Sequence, residues 1–442
     1  MPVIPLVPSD AALPKKTAVA IVGGGVIGVS IALELAERGI DVVLLEKGEI
    51  AAEQSSRNWG WCRQMGRDPR EIPLVKIALD KWRGMNARVE AETGFRQCGI
   101  VYFSQSDAEI AAREKWYAEN VPQFGLDTEL LSPARTAALL PGATRPFKGG
   151  LYTATDGRAE PFLAVPAMAE AARRKGAKIF THCAVRGFET MAGRVSGIVT
   201  EKGTIACDTV VVAGGAWTRR FLGNAGIPFK QLCVLSSVMR SNPLDIGHER
   251  TGSGGAFTFR KRLDGGFTIT HQHFSVADIV PDSFRLFFDF LPALKIDWSG
   301  LKLRLGQRFL DEARLKRQWK LDEVSPFEQV RVLDPAPVDR ILDNALESLR
   351  AWFPAFAPLT IAERWAGLID VTPDVVPVLS PVDHVPGLFI ASGLSGHGFG
   401  IGPGVGQLMA EMVTGEPLCV DPTPFRYSRQ IDGAKPRPLS GP

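Results

Sequence analysis

The sequence lacks the cysteine spacing of a zinc site, a redox pair or a disulfide framework. Its six cysteines form no CxxC pair and no Cys/His cluster, and they stand at Cys62, Cys98, Cys183, Cys207, Cys233 and Cys419. Cysteines scattered in this way are typical of reduced thiols inside the cell. We therefore expect a cytoplasmic protein without disulfides and without a metal centre.

Long apolar runs and an excess of one charge are also missing. No window of the chain approaches the roughly 18 apolar residues that a membrane span needs. Prolines interrupt the N-terminal residues where a signal peptide has its apolar core. The 51 basic and 48 acidic residues give a net charge of +3, so nucleic acid and anionic membranes are not expected partners. The 442 residues are enough for two domains.

The most informative stretch is an N-terminal strand, turn, helix and second strand. Residues 18–22 are apolar, residues 26–38 carry apolar side chains at helical spacing, and residues 42–45 form a second apolar run. The turn between the first strand and the helix has the pattern GxGxxG, and the second strand ends in an acid. This order of elements predicts a dinucleotide-binding βαβ unit.

Each residue type in this unit has a physical task. Gly23 permits the tight turn, Gly25 lets a pyrophosphate approach the backbone, and Gly28 lets the helix pack close to the strand. The helix N-terminus offers unpaired N–H groups and the positive end of its dipole to the phosphates. Glu46 is placed to accept hydrogen bonds from ribose hydroxyls.

A polar loop and an aromatic segment follow. Ser55, Ser56 and Arg57 can donate to pyrophosphate oxygens, and either serine can equally cap a helix. Residues 59–64, Trp-Gly-Trp-Cys-Arg-Gln, concentrate aromatic and donor groups. Two interpretations are open for this segment: chain that passes near the ring of a bound cofactor, or aromatic core.

Two later strands also end in glycine. Residues 209–212 lead into Gly214 and Gly215, and residues 388–392 lead into a glycine-rich stretch at 393–404 that precedes a helix predicted at about 405–413. Dense glycine between a strand and a helix presents backbone N–H groups to an anion or an electron-rich edge.

The middle of the chain is different in character. Residues 256–260 and 267–273 flank a glycine turn and predict an antiparallel hairpin, whose second strand puts His271 and His273 on one face. Residues 284–294 and 301–319 form an apolar piece and a basic amphipathic piece; packing, a lid, a subunit contact and a membrane-surface module are all open for them.

The alternation of elements predicts an α/β protein with two discontinuous domains. The dinucleotide-binding domain, Rossmann-like, is expected at 15–65, 145–225 and 350–430. A substrate-binding α+β domain built on a mixed or antiparallel sheet is expected at 66–144 and 226–349, with a helical insertion near 284–320.

Together these stretches resemble the FAD-dependent amine oxidoreductases of the D-amino-acid oxidase and glycine oxidase superfamily, and among them the bacterial L-amino acid deaminases. The likeness extends from about residue 16 to residue 425. The resemblance implies non-covalent FAD, because none of residues 365–377 is the cysteine that attaches flavin in some relatives. It implies FAD-binding roles for Gly23, Gly25, Val26, Ile27, Gly28, Glu46, Lys47, Ser55, Ser56, Arg57, Val185, Gly214, Gly215, Trp217, Gly393, Ser395, Gly396, His397, Gly398, Phe399 and Gly400.

The chain departs from these relatives where they bind the substrate carboxylate. The deaminases have an arginine shortly after the hairpin turn, where this chain reads Thr-His-Gln-His at 270–273, and glycine oxidases have one where it reads Ile369-Asp370. The deaminases begin with a membrane anchor, and the absence of a long apolar run leads us to expect none in this protein. The site residues expected to meet substrate are therefore His271, His273, Arg63, Gln64, His397 and Trp365.

The reaction implied is FAD-dependent oxidative deamination of an amino acid, with hydride transfer from Cα to the flavin and hydrolysis of the imine to a keto acid. Two alternatives are open: a sarcosine- or opine-type secondary-amine oxidase or dehydrogenase, and a flavin-binding subunit without activity. The expected partners are a small amino acid or amine, an electron acceptor that is oxygen, a quinone or a partner protein, and a second copy of the chain in a homo-oligomer.

Overall fold

The structure is a computed structural model that describes residues 3–272, 274–296, 298 and 300–439. The described residues form strands β1 Val19–Val22, β2 Val42–Leu45, β3 Trp61–Cys62, β4 Arg96–Gln97, β5 Ile100–Ser104, β6 Thr128–Leu131, β7 Gly149–Thr153, β8 Gly157–Arg158, β9 Lys178–Phe180, β10 Val185–Met191, β11 Arg194–Thr200, β12 Gly203–Ala206, β13 Thr209–Val212, β14 Leu232–Ser241, β15 Thr251–Gly254, β16 Phe257–Lys261, β17 Phe267–Thr270, β18 Ser275–Asp278, β19 Leu301–Arg304, β20 Ile361–Val371, β21 Val378–Pro381 and β22 Leu388–Ser392. Their α-helices are α1 Val26–Glu37, α2 Gln54–Arg57, α3 Ile72–Arg83, α4 Met85–Val89, α5 Asp107–Phe124, α6 Pro133–Leu139, α7 Pro161–Arg174, α8 Thr218–Asn224, α9 Pro281–Arg285, α10 Phe287–Ile296, α11 Gln307–Arg314, α12 Pro326–Gln329, α13 Asp339–Trp352 and α14 Gly398–Thr414.

The first sheet has the order β21-β22-β13-β1-β2-β9, with parallel pairing everywhere except between β21 and β22. Its central strands are short and apolar, and both of its faces are buried. Helices α1, α7 and α14 cover one face, and strands β10–β12 with α8 and α12 cover the other. This sheet confirms the predicted Rossmann-like βαβ unit. The carboxyl ends of β1, β2, β13 and β22 all lie at one edge, where such sheets bind ligands.

The start of α1 depends on two glycines. Gly23 has φ +110°, and a Cβ there would lie 2.4 Å from the carbonyl oxygen of Ala213. A Cβ on Gly28 would lie 2.0 Å from the carbonyl oxygen of Gly23, so only glycine lets the helix pack this close to the strand. Both findings agree with the roles expected from the GxGxxG spacing.

The second sheet is mixed and contains ten described strands, in the order β19-β18-β14-β17-β16-β15-β5-β7-β6, with β20 paired to β14. The predicted hairpin is present as β16 and β17. Phenylalanines from these strands pack on α13, which lies across one face of the sheet. This sheet matches the expected mixed sheet of a substrate-binding domain.

Two strands differ from the expected domain ranges. β7 and β20 fall within the ranges assigned to the dinucleotide-binding domain, but β7 pairs with β5 and β6, and β20 pairs with β14 along almost its full length. The reason is that their partners lie far away in sequence, so local composition did not reveal the pairing. β20 therefore passes from the second sheet directly into the loop that leads back to the first.

The insertion predicted near 284–320 is a small unit beside the second sheet. It contains α9, α10, β19 and α11, and the stretch expected as one basic amphipathic piece begins instead as a strand, β19, paired with β18. Asp282 accepts a hydrogen bond from Arg219 Nε at 2.8 Å and so joins the unit to α8. Within the described part of the chain, no helix combines the length and apolarity required to cross a bilayer.

Candidate active site

One cleft opens at the carboxyl edge of the parallel sheet and continues toward the second sheet. The glycine turns that follow β1, β13 and β22 all contribute to its wall, through Gly23, Gly25, Gly214, Gly215 and Gly396. Three strand ends that are distant in sequence therefore converge, as the glycine pattern predicted. The other expected cofactor residues that line the cleft are Val26, Ile27, Glu46, Lys47, Ser55, Arg57, Val185, Trp217, His397, Gly398, Phe399 and Gly400.

Glu46 joins the first turn to the end of β2. Its Oε2 accepts a hydrogen bond from the Gly24 N–H and its Oε1 accepts one from the Gly48 N–H, both at 2.7 Å. Burial raises the pKa of Glu46, whereas Lys47 and the two amide donors oppose that rise. The carboxylate is thus held rigidly beside the turn, with lone pairs left for hydroxyl donors.

The loop that carries Ser55, Ser56 and Arg57 closes over the start of α1. Ser55 Oγ accepts the Val26 N–H at 2.8 Å and lies at the cleft. Ser56 is buried, and its hydroxyl donates to the Glu53 carbonyl at 3.3 Å instead of lining the cleft. Because the serines alternate between cleft and interior, only Ser55 is placed to meet a ligand.

Arg57 lines the cleft, but its side chain forms hydrogen bonds to three separate segments of the chain. Its Nε donates to the Ala52 carbonyl at 3.1 Å, and its Nη1 donates to the Ala366 carbonyl at 3.0 Å and to Asp334 Oδ1 at 2.5 Å. The guanidinium therefore ties the loop to β20. A role at a pyrophosphate remains a prediction.

The end of the cleft near Glu46 also contains an aromatic wall. Lys47 Nζ lies 4.7 Å from the centre of the Trp217 ring and donates to Glu53 Oε1 at 2.6 Å. Trp217 Nε1 donates to the same carboxylate oxygen at 3.1 Å. Together with Val185, this arrangement gives a flat, partly apolar surface suited to a planar base.

Asp370 connects the second and third glycine turns. Its Oδ2 accepts the Gly393 N–H at 2.8 Å and the Gln231 side-chain amide at 3.2 Å, and that same amide donates to the Gly215 carbonyl at 2.9 Å. Burial raises the pKa of Asp370 to about 6. The position at which glycine oxidases carry an arginine is thus used here to hold the backbone.

The glycine-rich stretch differs from the expected long loop. The helix α14 begins at Gly398, not near residue 405. It packs closely on its neighbours, since a Cβ on Gly400 or Gly406 would lie 2.7 Å from a carbonyl oxygen, that of Trp61 or of Ser30. The positive end of the α14 dipole therefore faces the cleft. Gly396, His397, Gly398, Phe399 and Gly400 line the cleft, whereas the lining does not include Gly393 or Ser395.

His397 is the predicted catalytic candidate with the most defined partner. It is buried, and its Nδ1 lies 2.8 Å from Oε2 of Glu71, a buried acid at the start of α3. Burial lowers the pKa of His397, the Arg67 guanidinium lowers it further, and Glu71 opposes both. The ring is therefore mostly neutral near pH 7, and the carboxylate orients it.

The other candidates separate into two groups. Arg63 and His271 line the cleft: Arg63 Nη1 donates to the Met65 carbonyl, and His271 Nε2 lies 3.2 Å from Asn344 Oδ1. Gln64 and Trp365 do not line it, since the Gln64 amide donates to Asp127 and Thr155 and the Trp365 indole donates to the Arg57 carbonyl. His273 lies outside the described residues.

Sequence reasoning missed Arg67 and Gln272, which also line the cleft. Arg67 is 4% exposed although it lies in the charged stretch Gly-Arg-Asp-Pro-Arg-Glu, which resembles a solvated turn. No local signal distinguishes it from its neighbour Arg70, which pairs with Asp68 at 2.7 Å.

The cleft fits a dinucleotide with an extended planar ring at its far end. One end of the cleft has a turn that only glycine can form and an acid beyond β2, and the opposite end has a second helix N-terminus. These features match the two ends of FAD. None of the described lining residues is a cysteine, which agrees with a flavin held without a covalent bond. Fold and cleft thus define a flavin-dependent oxidoreductase.

Comparisons with known proteins agree. Residues 18–412 match the model of the family DAO, FAD dependent oxidoreductase. The structure is similar to that of L-amino acid deaminase from Proteus myxofaciens in complex with anthranilate, with TM-score 0.93, 33% identity and coverage of 96% of each chain.

Two curated relatives are similar in sequence over most of this chain. They are 4-methylaminobutanoate oxidase (formaldehyde-forming) from Paenarthrobacter nicotinovorans, 28% identical over 91% of this chain, and glycine oxidase from Pseudomonas putida, 24% identical over 92% of this chain. The chain spans 44% of the first relative and 97% of the second. The chain therefore belongs to the DAO family of FAD-dependent oxidoreductases, and it is an enzyme whose cofactor is FAD.

Proposed function

We propose that this protein catalyses oxidative deamination of an amino acid to a 2-oxo acid and ammonia. The observation that carries this proposal is the single cleft that joins the glycine turns to the buried His397–Glu71 pair and to a second basic group, Arg67. The structural neighbour from Proteus myxofaciens is an L-amino acid deaminase, which supports this proposal.

The residues at the two ends of the cleft are suited to the two ends of FAD. In this proposal Gly23, Gly25 and Glu46 bind the ADP portion, and Trp217 contacts the adenine. Residues 396–400 bind the flavin ring, which their position in the cleft lining at the N-terminus of α14 supports. FAD, when bound, supplies a two-electron acceptor.

The reaction needs the amine in its neutral form. Glu71 accepts from His397 Nδ1, so Nε2 of the neutral ring carries a lone pair that can take one proton from the substrate ammonium. The neutral amine then loses a hydride from Cα, and the nitrogen lone pair forms the second bond of an iminium. Water adds to this carbon, ammonium leaves, and the 2-oxo acid remains. Orientation in the cleft supplies most of the remaining rate enhancement.

The test is anaerobic reduction of the holoenzyme by L-, D- and N-methylated amino acids. The proposal expects that a primary amino acid bleaches the visible flavin band and yields one 2-oxo acid per flavin. FAD that stays oxidised with every amine tested would indicate a flavin-binding subunit without activity. Comparing peroxide with dye reduction in the presence of air would identify the electron acceptor.

Oxidation of a secondary amine is a second candidate, because 4-methylaminobutanoate oxidase is similar over 91% of this chain. In this reaction the hydride would come from the carbon of the N-substituent that is bonded to nitrogen, and hydrolysis of the resulting iminium would release an aldehyde and a primary amine. The same screen separates the two reactions, since only N-methylated compounds would bleach the flavin and formaldehyde would replace the 2-oxo acid.

A further inference from the structure

Arg67 is a buried cation whose hydrogen bonds are incomplete. It lies in the turn before α3, lines the cleft and is 4% exposed. Its Nε donates to the Arg63 carbonyl at 3.3 Å, and its Nη1 has no hydrogen-bond partner among the described residues. A buried donor without a partner costs free energy unless a ligand satisfies it.

Arg67 has no ion-pair partner among the described residues. Glu71 and Asp156 favour the charged form of its guanidinium, but neither carboxylate lies within ion-pair distance of it. Glu71 Oε2 contacts His397 Nδ1 while its Oε1 has no hydrogen-bond partner in the described ranges, and Asp156 accepts from the backbone N–H groups of residues 64 and 65. Burial lowers the pKa of Arg67 to about 9, and the like charge of Arg63 contributes. An anion in the cleft would remove this imbalance.

Two other polar side chains of the cleft lining also have a buried atom without a hydrogen-bond partner. The indole Nε1 of Trp61 and the side-chain Oε1 of Gln272 are both buried, and neither has a hydrogen-bond partner within the described part of the chain. The cleft therefore presents unused donors together with an unused acceptor. That combination suits a ligand with an anionic oxygen and an N–H group.

The two positions at which relatives carry the carboxylate-binding arginine are otherwise occupied. Asp370 holds the third glycine turn, and His271 packs against Phe274 with ring centres 4.4 Å apart while contacting Asn344. Arg63 is committed as well, since its Nη1 donates to the Met65 carbonyl and its guanidinium lies 5.5 Å from the centre of the Tyr102 ring.

We propose that Arg67 binds the substrate carboxylate in this protein, in place of the arginines at those two positions. This inference rests on the proposed function. It assigns the carboxylate to the side of the cleft formed by the turn before α3, away from the β17 hairpin. The guanidinium, charged and planar, can form two parallel hydrogen bonds to a carboxylate, which also fixes the orientation of Cα.

The experiment uses holoenzyme and two matched pairs of probes, benzoate with benzamide and acetate with acetamide. Binding is followed by the change in the flavin absorption spectrum, so no turnover is needed. The variants are Arg67→Met, Arg67→Lys and, as the matched control, Arg83→Met, which removes an arginine of α3 that pairs with Asp80 and does not line the cleft. In Arg67→Met we expect the Kd of each carboxylate to rise at least about 30-fold, while the Kd of each amide changes less than about 3-fold. In Arg83→Met we expect less than about a 3-fold change for every probe.

Arg67→Lys keeps the charge but loses the planar fork, so carboxylate binding should lie between that of wild type and Arg67→Met. If Arg67→Met does not fold, Arg67→Lys decides: equal weakening of carboxylates and amides overturns the proposal. Wild-type carboxylate affinity in Arg67→Met, a carboxylate-specific loss of the same size in Arg83→Met, or a wild-type holoenzyme that responds to neither carboxylate also overturns it. A wild-type protein that takes up no FAD contradicts the proposed function instead.

Discussion

His397 Nδ1 lies 2.8 Å from Glu71 Oε2, and both side chains are buried where α14 begins beside the cleft. An ionised carboxylate can only accept, so the ring proton sits on Nδ1 and the other nitrogen of the neutral ring is a base. This relationship sets the pH range in which the proposed reaction runs.

The first prediction concerns that pH range. Because the pKa of His397 is lowered, kcat/KM should fall with acidification only below the ordinary histidine pKa. Glu71 raises this pKa, so Glu71→Gln should shift the acid limb of the profile to still lower pH. The exposed change Glu119→Gln should leave the limb in place. A limb that stays fixed in Glu71→Gln, or moves to higher pH, contradicts a role for this pair.

The second prediction concerns Gly25, whose backbone has an extended conformation that any residue adopts. A Cβ there would lie 3.0 Å from Ser55 Oγ and project at the cleft. Gly25→Ala should therefore fold, yet bind FAD at least about 10-fold more weakly.

Gly223→Ala is the matched control, because its Cβ would meet nothing within 4 Å and it lies in a helix. It should keep the FAD affinity and gain about 0.5–1 kcal/mol of stability. Fluorescence quenching of FAD on titration with apoprotein measures both affinities. Equal affinity in the two variants would show that Gly25 does not contact the cofactor.

The third prediction concerns Glu46. The side-chain amide in Glu46→Gln has only one acceptor atom, its oxygen. It can keep the hydrogen bond from the Gly24 N–H or from the Gly48 N–H but not both, and its own N–H group then faces the other backbone N–H. We expect the Kd for FAD to rise by about 10-fold or more. Glu37→Gln, at the other end of α1, is the control and should not change it. The measurement is the same quenching titration, and an unchanged Kd in Glu46→Gln refutes the assignment.

The fourth prediction separates two roles of Arg57. Arg57→Met leaves the buried carbonyls of residues 52 and 366 without their donor, and it should cost about 3 kcal/mol of unfolding free energy in urea. Asp334 is 72% exposed on its side chain, so Asp334→Asn should cost less than about 1 kcal/mol. Wild-type stability of Arg57→Met with weakened FAD binding would instead support contact with the pyrophosphate.

The fifth prediction concerns Asp370, whose pKa burial raises to about 6 from an ordinary 3.8. The folded state therefore binds the Asp370 proton more tightly than the unfolded state does. The stabilising contribution of Asp370 to the free energy of unfolding is lost as the pH rises from about 4 to about 6. Relative to Asp370→Asn, the wild type should lose about 3 kcal/mol of unfolding free energy across that range. Urea unfolding of both proteins at several pH values measures the difference, and a difference independent of pH refutes the shift.

Local pattern predicted the parts of the fold whose partners are close in sequence. The β1–α1–β2 unit and β16 lie within one residue of the expected bounds, because turn chemistry and apolar spacing specify them. β17 begins at the expected residue but ends at Thr270, three residues before the expected end, so His271 lies beyond the strand. β7 and β20 lie in ranges expected for the dinucleotide-binding domain but pair within the second sheet, because their pairing partners are distant in sequence and the composition of a strand does not identify its neighbour.

The glycine turns that line the cleft were predictable from the sequence, whereas the polar side chains that line it were not. Glycines that are required at strand ends can be recognised directly in the sequence, and Gly23 and Gly215 both line the cleft. Whether a polar side chain turns toward the cleft depends on tertiary packing: Gln64 turns toward Asp127, whereas Arg67 is buried at the cleft. Neither orientation follows from the surrounding residues.

The most direct test of the central claim is the anaerobic addition of one amino acid to holoenzyme reconstituted with one FAD per chain. If the converging glycine turns hold a flavin with a substrate pocket beside it, the visible band bleaches in full and one 2-oxo acid appears for each flavin reduced. Apoprotein that binds no FAD, or bound FAD that no amine reduces, would contradict the account.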